Sequence, residues 1–259
     1  MPKTIAICNQ KGGTGKTTTS VNLSAVLADL GKRVLLVDMD PQGNATSGVG
    51  VNKNEIKSSV YDVLIHKANI ADVIVVTAYK NLHVLPCNIN LTGAEIELVG
   101  ALSRETRLKK ALDQVKHNYD FIFIDSPPSL GLLTLNTLVA ADTIIIPIQC
   151  EFYALEGVSG LLNTVNLVKE GLNSTLAIEG VLMTMADFRT NLTNEVIGEI
   201  KNFFKEKVYS AIIPRNIRLS EAPSFGKPIH VYDATSVGSI KYKELAQEVL
   251  NANNVVSAS

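Results

Sequence analysis

The sequence has few aromatic side chains and no long apolar run. Tryptophan is absent, and aromatic residues make up only 5% of the 259 positions. Proteins that stack the bases of single-stranded nucleic acid need such rings, so their scarcity argues against that class. A membrane-spanning helix needs about eighteen consecutive apolar residues, and the sequence has no such stretch. The first predicted strand begins near residue 4, so we expect no signal peptide and a cytoplasmic location.

Cysteine is also scarce. Cys8, Cys87 and Cys150 are the three cysteines of the chain, and they lack the close spacing of metal ligands. Each lies in or beside an apolar, strand-like stretch. We expect them to be small buried side chains in a reducing compartment.

The chain lacks a large excess of charge of one sign. Its formal net charge is −1, so the molecule as a whole is not a polycation. The charge is unevenly distributed, however, because residues 189–243 contain nine basic and five acidic residues. That segment is therefore a candidate for an anion-binding surface.

Apolar, β-branched runs alternate with segments of helical period along the whole chain, and 46% of the residues are hydrophobic. The runs at 121–124 and 144–146 are apolar on both faces, which is typical of a sheet covered on both sides. The pattern predicts an α/β fold with three layers: a mostly parallel, doubly wound sheet with helices on both faces. We predict one domain over residues 1–251 and a frayed tail over 252–259. The predicted strands are 4–8, 33–37, 82–86, 121–124, 143–148, 178–183 and 211–213, and the predicted helices are 17–30, 104–117, 155–169, 194–207 and 240–251.

A glycine-rich loop joins the first predicted strand to the first predicted helix. Its glycines allow backbone N–H groups to turn inward and form an anion nest, to which the helix N-terminus adds its positive dipole end. Lys16 supplies a charge for the outer phosphates, and the Thr17 hydroxyl is placed to bind Mg²⁺. The loop therefore predicts a site for a nucleoside triphosphate and Mg²⁺. The residues of the predicted cradle are Lys11, Gly12, Gly13, Thr14, Gly15, Lys16, Thr17 and Thr18.

Two other interpretations of this loop fit its residues less well. A plain glycine-rich turn would not need the Gly-Lys-Thr ending between a strand and a helix. A dinucleotide fingerprint would need a third glycine where Thr18 stands. The loop also departs from the general phosphate-loop pattern, because Gln10 replaces the first glycine and Lys11 adds a second lysine.

Acidic residues follow two other predicted strands. Asp38 and Asp40 come after the run at 33–37, and Asp125 comes after the run at 121–124. Ligands of doubly wound sheets bind beyond the carboxyl ends of the strands, so these carboxylates are candidates for a Mg²⁺ site. We predict that Asp38 and Asp125 belong to this site with Thr17, Asp125 through a metal-bound water, and that Asp40 orients the attacking water. Helix caps or turn residues are the alternative.

A later segment, residues 213–216, also follows a predicted strand. The amide of Asn216 offers both a donor and an acceptor for an adenine edge, and Pro214 stands two positions before it. From spacing alone, these residues favour a plain turn over an adenine contact.

The chain resembles the ParA/Soj family of deviant Walker A ATPases, and most closely its short chromosomal form. The likeness extends over nearly the whole chain. It is carried by residues 11–18 (KGGTGKTT), 38–44 (DMDPQGN), 125–129 (DSPPS), 149–157 (QCEFYALEG) and 213–224 (IPRNIRLSEAPS). Thr14 is a departure, since valine is usual there, but the two side chains are similar in volume.

The resemblance implies an ATPase that uses ATP and Mg²⁺ and forms a homodimer with two nucleotides between the subunits. Lys11 would reach the phosphates bound by the partner, Lys16 would bind phosphate in its own subunit, and Asp40 would support hydrolysis. Pro214 and Asn216 would flank adenine.

The resemblance also implies partners. The ATP-bound dimer would bind double-stranded DNA without sequence preference, and a ParB/Spo0J-type protein would stimulate hydrolysis during chromosome or plasmid segregation. The location would then be the cytoplasm, associated with the nucleoid. The candidate DNA contacts are Arg189 and Arg218, with Lys227, Lys241 and Lys243 as a possible extension.

Three other functions remain as alternatives. A MinD-like membrane-surface ATPase has the same loop but needs a basic amphipathic helix; residues 251–259 have neither the charge nor the bulk, so we expect no stable membrane association. A relative of nitrogenase iron protein would need cysteines at positions where this chain has none. A nucleotide-gated scaffold without significant turnover differs from a slow ATPase only in degree.

Overall fold

The computed structural model describes residues 2–151 and 154–255. Its centre is a seven-stranded sheet in the order β3-β4-β2-β5-β1-β6-β7. All neighbouring strands are parallel except β3, which is antiparallel to β4. The strands are β1 Lys3–Ile7, β2 Val34–Asp38, β3 Val75–Val76, β4 Leu82–Leu85, β5 Phe121–Asp125, β6 Thr143–Gln149 and β7 Ala177–Thr184.

Helices cover the sheet on both faces. The first helix, α1, is closed by Gly31, as the sequence predicts. Gly31 has a φ of 87°, and its N–H donates to the Ala28 carbonyl. A single π-helical turn spans Asp62–His66. The α-helices are α1 Lys16–Asp29, α2 Asn44–Gly48, α3 Ile70–Val73, α4 Leu91–Glu97, α5 Arg107–Val115, α6 Leu132–Ala140, α7 Glu156–Gly171, α8 Asn191–Phe204, α9 Ile217–Glu221, α10 Ile229–Tyr232 and α11 Val237–Val255.

Alternate residues of β5 enter two separate cores. Ile122 and Ile124 pack in the cluster that contains the buried faces of α5 to α8. Phe121 and Phe123 pack in the cluster that contains α1 and α11. Since successive strand side chains point to opposite faces, this division confirms the predicted three-layer arrangement.

Two of the predicted segments differ from the structure. The sequence predicts a strand at 211–213, but the structure has only isolated contacts here: bridges join Val208 to Val181 and Pro214 to Ala186, and the Ile213 N–H donates to the Met183 carbonyl at 2.9 Å. The N–H groups of Ser210 and Ala211 instead donate to the carboxylate of Glu248, each at 2.8 Å. At the C-terminus, α11 continues to Val255 rather than ending at residue 251, and residues 256–259 of the predicted tail lie outside the described residues. No helix in the described part of the chain is long and apolar enough to cross a bilayer.

Candidate functional site

The loop between β1 and α1 meets the ends of two neighbouring strands. Strand β5 pairs with both β1 and β2, and in these registers Asp125 lies opposite Ile7 on one side and Asp38 on the other. The glycine-rich loop begins directly after β1. The parallel topology therefore brings the loop and the two acidic strand ends to one edge of the sheet, as the sequence predicted.

The loop has the backbone geometry of an anion nest. Gly13 and Gly15 have φ values of 75° and 87°, a region that L-residues with a side chain rarely occupy. Gly15 precedes α1, and no side chain caps the first turn of that helix. The Thr14 carbonyl is held by the Thr184 hydroxyl at 2.8 Å. The amides at the start of α1 are thus available to a bound anion.

Lys16 lies inside this loop and is only 6% exposed. Its Nζ donates to the Lys11 carbonyl oxygen at 3.0 Å, across the loop. Burial lowers the pKa of Lys16, while the nearby carboxylates of Asp125 and Asp40 act in the opposite direction. A buried ammonium beside the N-terminus of α1 is well placed to bind a phosphate group.

Asp125 is fully buried at the end of β5. One of its oxygens accepts from the Thr17 hydroxyl at 2.7 Å, and the other accepts from the Ser20 hydroxyl at 2.8 Å. Burial raises the pKa of Asp125, and the charge of Asp38 raises it further. Ser20 was not among the predicted site residues; it stands one turn after Lys16 in α1, and that spacing was the only signal for it.

Asp38 is also fully buried, but its contacts are of a different kind. One oxygen accepts from both the backbone N–H and the hydroxyl of Thr46, each at 2.7 Å, and the other accepts from the Asp40 N–H at 3.2 Å. Burial raises the pKa of Asp38 as well. In this arrangement Asp38 anchors α2 and the turn before it; its role as a metal ligand stays a prediction.

Asp40 lies in the turn between β2 and α2 and is 9% exposed. Its carboxylate accepts from the Gln42 N–H at 2.9 Å, and the Gly43 N–H donates to its carbonyl at 2.9 Å. The turn directs Asp40 toward the loop closely enough for its charge to act on Lys16 and Asp125. This nearness to Lys16 and Asp125 is compatible with the predicted role beside an attacking water.

The donor set fits Mg²⁺ bound together with a nucleotide. The described residues hold no group of three or more His, Cys, Asp or Glu side chains that could bind a metal by themselves. Mg²⁺ usually takes only one or two protein ligands and completes its shell with water and phosphate oxygens. Thr17 and Asp125 could supply these one or two protein ligands. The buried carboxylates of Asp38, Asp40 and Asp125 lie beside the buried Lys16, which leaves an excess of negative charge for a cation.

A cavity of about 320 Å³ adjoins the loop. Gly15 and Thr18 line one side of it, and Pro214, Arg215 and Asn216 line the other. The Asn216 side chain also accepts from the Leu219 N–H at 3.4 Å and so caps α9. The cavity is continuous with the phosphate loop at Gly15 and Thr18, which makes it suitable for a nucleoside.

Lys11 differs from Lys16 in both exposure and contacts. Its side chain is 48% exposed, and its Nζ lies 3.6 Å from a carboxylate oxygen of Glu151. Gln10 lies against Gly160 of α7, where an added Cβ would collide with the Gln10 side chain. The two departures from the general phosphate-loop pattern are therefore both on the side of the loop that faces α7.

The candidate DNA contacts lie on several elements. Arg189 precedes α8, is 87% exposed in its side chain, and makes two hydrogen bonds to Asp187 at 2.7 and 2.6 Å. Arg218 on α9 pairs with Glu221 at 2.9 Å and with Asp233 at 3.4 Å.

The three candidate lysines differ in their surroundings. Lys241 pairs with Glu244 at 2.7 Å, and Lys243 is exposed on α11. Lys227 lines a separate cavity of about 360 Å³ that also includes Thr17 and Thr18. Whether these five residues bind DNA stays a prediction.

The chain is similar to known proteins along nearly its whole length. A family model described as an AAA domain matches residues 2–178. The chain is 62% identical over 249 residues to the sporulation initiation inhibitor protein Soj of Bacillus subtilis, covering 96% of this chain and 98% of that protein. It is 52% identical over 250 residues to the chromosome-partitioning ATPase Soj of Treponema pallidum, covering 96% and 98%.

A solved structure is also similar over nearly the full length. The cobyrinic acid a,c-diamide synthase of Mycobacterium smegmatis, with bound ADP and magnesium, has a TM-score of 0.85 and 37% identity, with 96% of this chain and 94% of that chain covered. Together with the loop that presents Lys11 and Lys16, these similarities identify the chain as a member of the Soj/ParA family of chromosome-partitioning ATPases.

Proposed function

We propose that the chain binds Mg²⁺ and ATP at the β1–α1 loop and forms a dimer with two nucleotides between its subunits. The observation that carries this proposal is the unequal placement of two lysines in one loop. Lys16 is buried within the cradle, whereas Lys11 is half exposed on its outer side. A lysine in that position is poorly placed for its own phosphates but accessible to those of a second subunit.

Each residue of the site has a defined part in the proposed reaction. Lys16 and the amides at the start of α1 hold the phosphates, and Thr17 contributes a hydroxyl oxygen to Mg²⁺ while Asp125 holds a metal-bound water. The bound metal ion neutralises the charge that develops on the phosphates. Asp40 orients the attacking water. The base occupies the cavity beside Pro214 and Asn216.

In the proposed cycle, the ATP-bound dimer binds double-stranded DNA without sequence preference. A dimer brings together two copies of Arg189 and Arg218, and this doubling of contacts raises the avidity of a chain with a net charge of only −1. Both arginines are exposed, which favours contact with phosphates. Each neutralised phosphate contributes about −0.9 to the slope of log K against log salt concentration.

A ParB/Spo0J-type protein would then stimulate hydrolysis and release the dimer from DNA, which leads to chromosome or plasmid segregation. The family membership supports this partner. The decisive experiment measures binding to double-stranded DNA of mixed sequence with ATP, with ADP and without nucleotide, at several salt concentrations. Retention only with ATP, with a steep salt dependence, is expected. Equal retention in all three nucleotide states would contradict the proposed switch.

A further inference from the structure

Glu151 occupies a position between the phosphate loop and the nucleoside cavity. It follows β6 by two residues, and its carboxylate lies 3.6 Å from Lys11 on one side and 3.6 Å from Arg215 on the other. The Gln149 side chain donates to the same carboxylate. One half-exposed carboxylate therefore links the lysine outside the cradle to an arginine that lines the nucleoside cavity.

The link continues into the cradle. Lys16 is bonded through its Nζ to the carbonyl of Lys11, and the side chain of Lys11 is paired with Glu151. These contacts form a series from Lys16 through Lys11 and Glu151 to Arg215. A bound nucleotide would contact both ends of it, because its phosphates would bind the ammonium of Lys16 and its base and sugar would fill the cavity beside Arg215. The hydrogen bond from Lys16 to the Lys11 carbonyl and the ion pair of Lys11 with Glu151 would then be weakened together.

We propose that Glu151 is a positioning residue that holds Lys11 against its own subunit until a nucleotide binds. This inference rests on the proposed dimer, in which Lys11 must leave Glu151 to reach the phosphates of the partner subunit. Binding at the phosphate loop and in the nucleoside cavity releases Lys11 for that contact. Glu151 thus opposes dimerisation of the nucleotide-free chain.

The size of the effect follows from the exposure of the pair. Lys11 and Glu151 are 48% and 45% exposed, and ion pairs of this kind change an equilibrium by at most about fivefold. Glu151→Gln removes the charge but keeps the length of the side chain. We expect this variant to reach half-maximal dimerisation at an ATP concentration about two- to fivefold lower than the wild type.

The control is the same substitution at Glu170, which is exposed in the last turn of α7. Dimer formation is followed by sedimentation velocity during an ATP titration of the full chain. Glu170→Gln should match the wild type. A Glu151→Gln curve that coincides with that control, or that shifts to higher ATP concentration, would overturn the proposal.

A second measurement does not depend on the dimer. In the nucleotide-free chain, the rate of acetylation of Lys11 by acetic anhydride is compared with that of the other lysines by mass spectrometry. Glu151→Gln should raise the relative rate at Lys11, and an unchanged rate would overturn the inference. If the wild type does not dimerise with ATP but Lys11 becomes more reactive in the variant, the dimer proposal fails while the contact is upheld.

A third arm separates an effect through Lys11 from an effect through Arg215. In a Lys11→Ala background, the pair of Glu151 with Lys11 is already missing, and Glu151→Gln removes only the charge facing Arg215. If Glu151 acts through Lys11, this further change should leave the affinity for a fluorescent ATP analogue unchanged. A changed affinity in this background would show that Glu151 acts through Arg215 on the nucleoside cavity, contrary to the proposal.

Discussion

Asp125→Asn should stabilise the nucleotide-free protein and at the same time abolish its stabilisation by Mg²⁺ and ATP. Three carboxylates, those of Asp38, Asp40 and Asp125, lie at this end of the sheet, and Lys16 is the buried cation beside them. Asp125 has no exposure to solvent. A buried charge that is not fully compensated costs several kcal/mol in a folded protein. An asparagine keeps the shape but carries no charge. Its oxygen can accept from the Thr17 hydroxyl and its amide N–H can donate to the Ser20 oxygen, whose hydroxyl can donate to the Lys16 carbonyl.

The magnitude follows from the shifted pKa. Each pKa unit corresponds to about 1.4 kcal/mol, and the pKa of Asp125 is raised from 3.8 to about 8. The full shift would give about 4 kcal/mol at pH 7. Relaxation and the attraction of Lys16 reduce this figure, so we expect a gain of about 2 kcal/mol in the free energy of unfolding. For a chain of this size, that gain corresponds to a rise in Tm of about 4–8 °C.

The pH dependence gives a sharper test. Because the pKa of Asp125 is higher in the folded chain than in the unfolded chain, the folded state binds more protons between about pH 4 and about pH 8. The wild type therefore loses stability as pH rises through that range, whereas Asp125→Asn has no such group to ionise. The difference in Tm between the two proteins should grow from pH 5 to pH 8.

Differential scanning calorimetry at pH 5, 6, 7 and 8, with and without Mg²⁺ and ATP, measures both effects. Asp113→Asn, at an exposed residue of α5, is the matched control and should not raise Tm. A variant less stable than the wild type at pH 7–8 without nucleotide would refute the account of a buried, poorly compensated charge. An undiminished response to Mg²⁺ and ATP would remove Asp125 from the metal site.

Other substitutions test the remaining roles. Lys11→Ala should retain ATP binding but lose the ATP-dependent dimer in gel filtration, and a normal dimer would rule out action on the partner's phosphates. Asp40→Ala should slow ATP hydrolysis by about a hundredfold or more and trap a DNA-bound dimer; unchanged turnover would contradict its role. Arg189→Glu should abolish ATP-dependent retention on DNA without affecting dimerisation, whereas Asp187→Asn, which frees Arg189 from its ion pair, should strengthen retention severalfold. If both changes leave DNA affinity unaltered in filter binding, Arg189 is not a contact.

Much of the fold was predictable because its signals are local. The runs that became β1, β2, β5 and β6 are short and continuously apolar, and in parallel sheets such runs are buried on both faces. The start of α1 was marked by the glycine-rich loop and its end by Gly31. Once these elements were placed, the topology rule for parallel sheets brought Asp125 to the phosphate loop without any side-chain information.

Other elements gave no distinct periodic signal. The helix α6 (Leu132–Ala140) is apolar around most of its circumference, so a helical stripe is hard to recognise. Its first turn is held by Glu95 of α4, whose carboxylate accepts from the N–H groups of Leu132 and Leu133. The strand β3 has only two residues. Residues 211–213 have the composition of a strand, but the Ala211 N–H donates to the Glu248 carboxylate while the Ile213 N–H donates to the Met183 carbonyl of β7, so no continuous ladder forms.

In the site, as in the fold, features set by neighbouring residues were predictable and contacts between distant residues were not. Lys16 and Thr17 could be predicted because a helix N-terminus imposes fixed spacing on the groups around an anion. Glu151 could not be found that way, since it is 140 positions from Lys11 and meets it only because β6 lies beside β1. The residues of the phosphate loop are held at a fixed spacing along the chain, so the sequence displays them together. A residue in the proposed role of Glu151 needs only a carboxylate close to the Lys11 ammonium in the folded chain. No sequence spacing marks such a residue, so the contact is seen only in the structure.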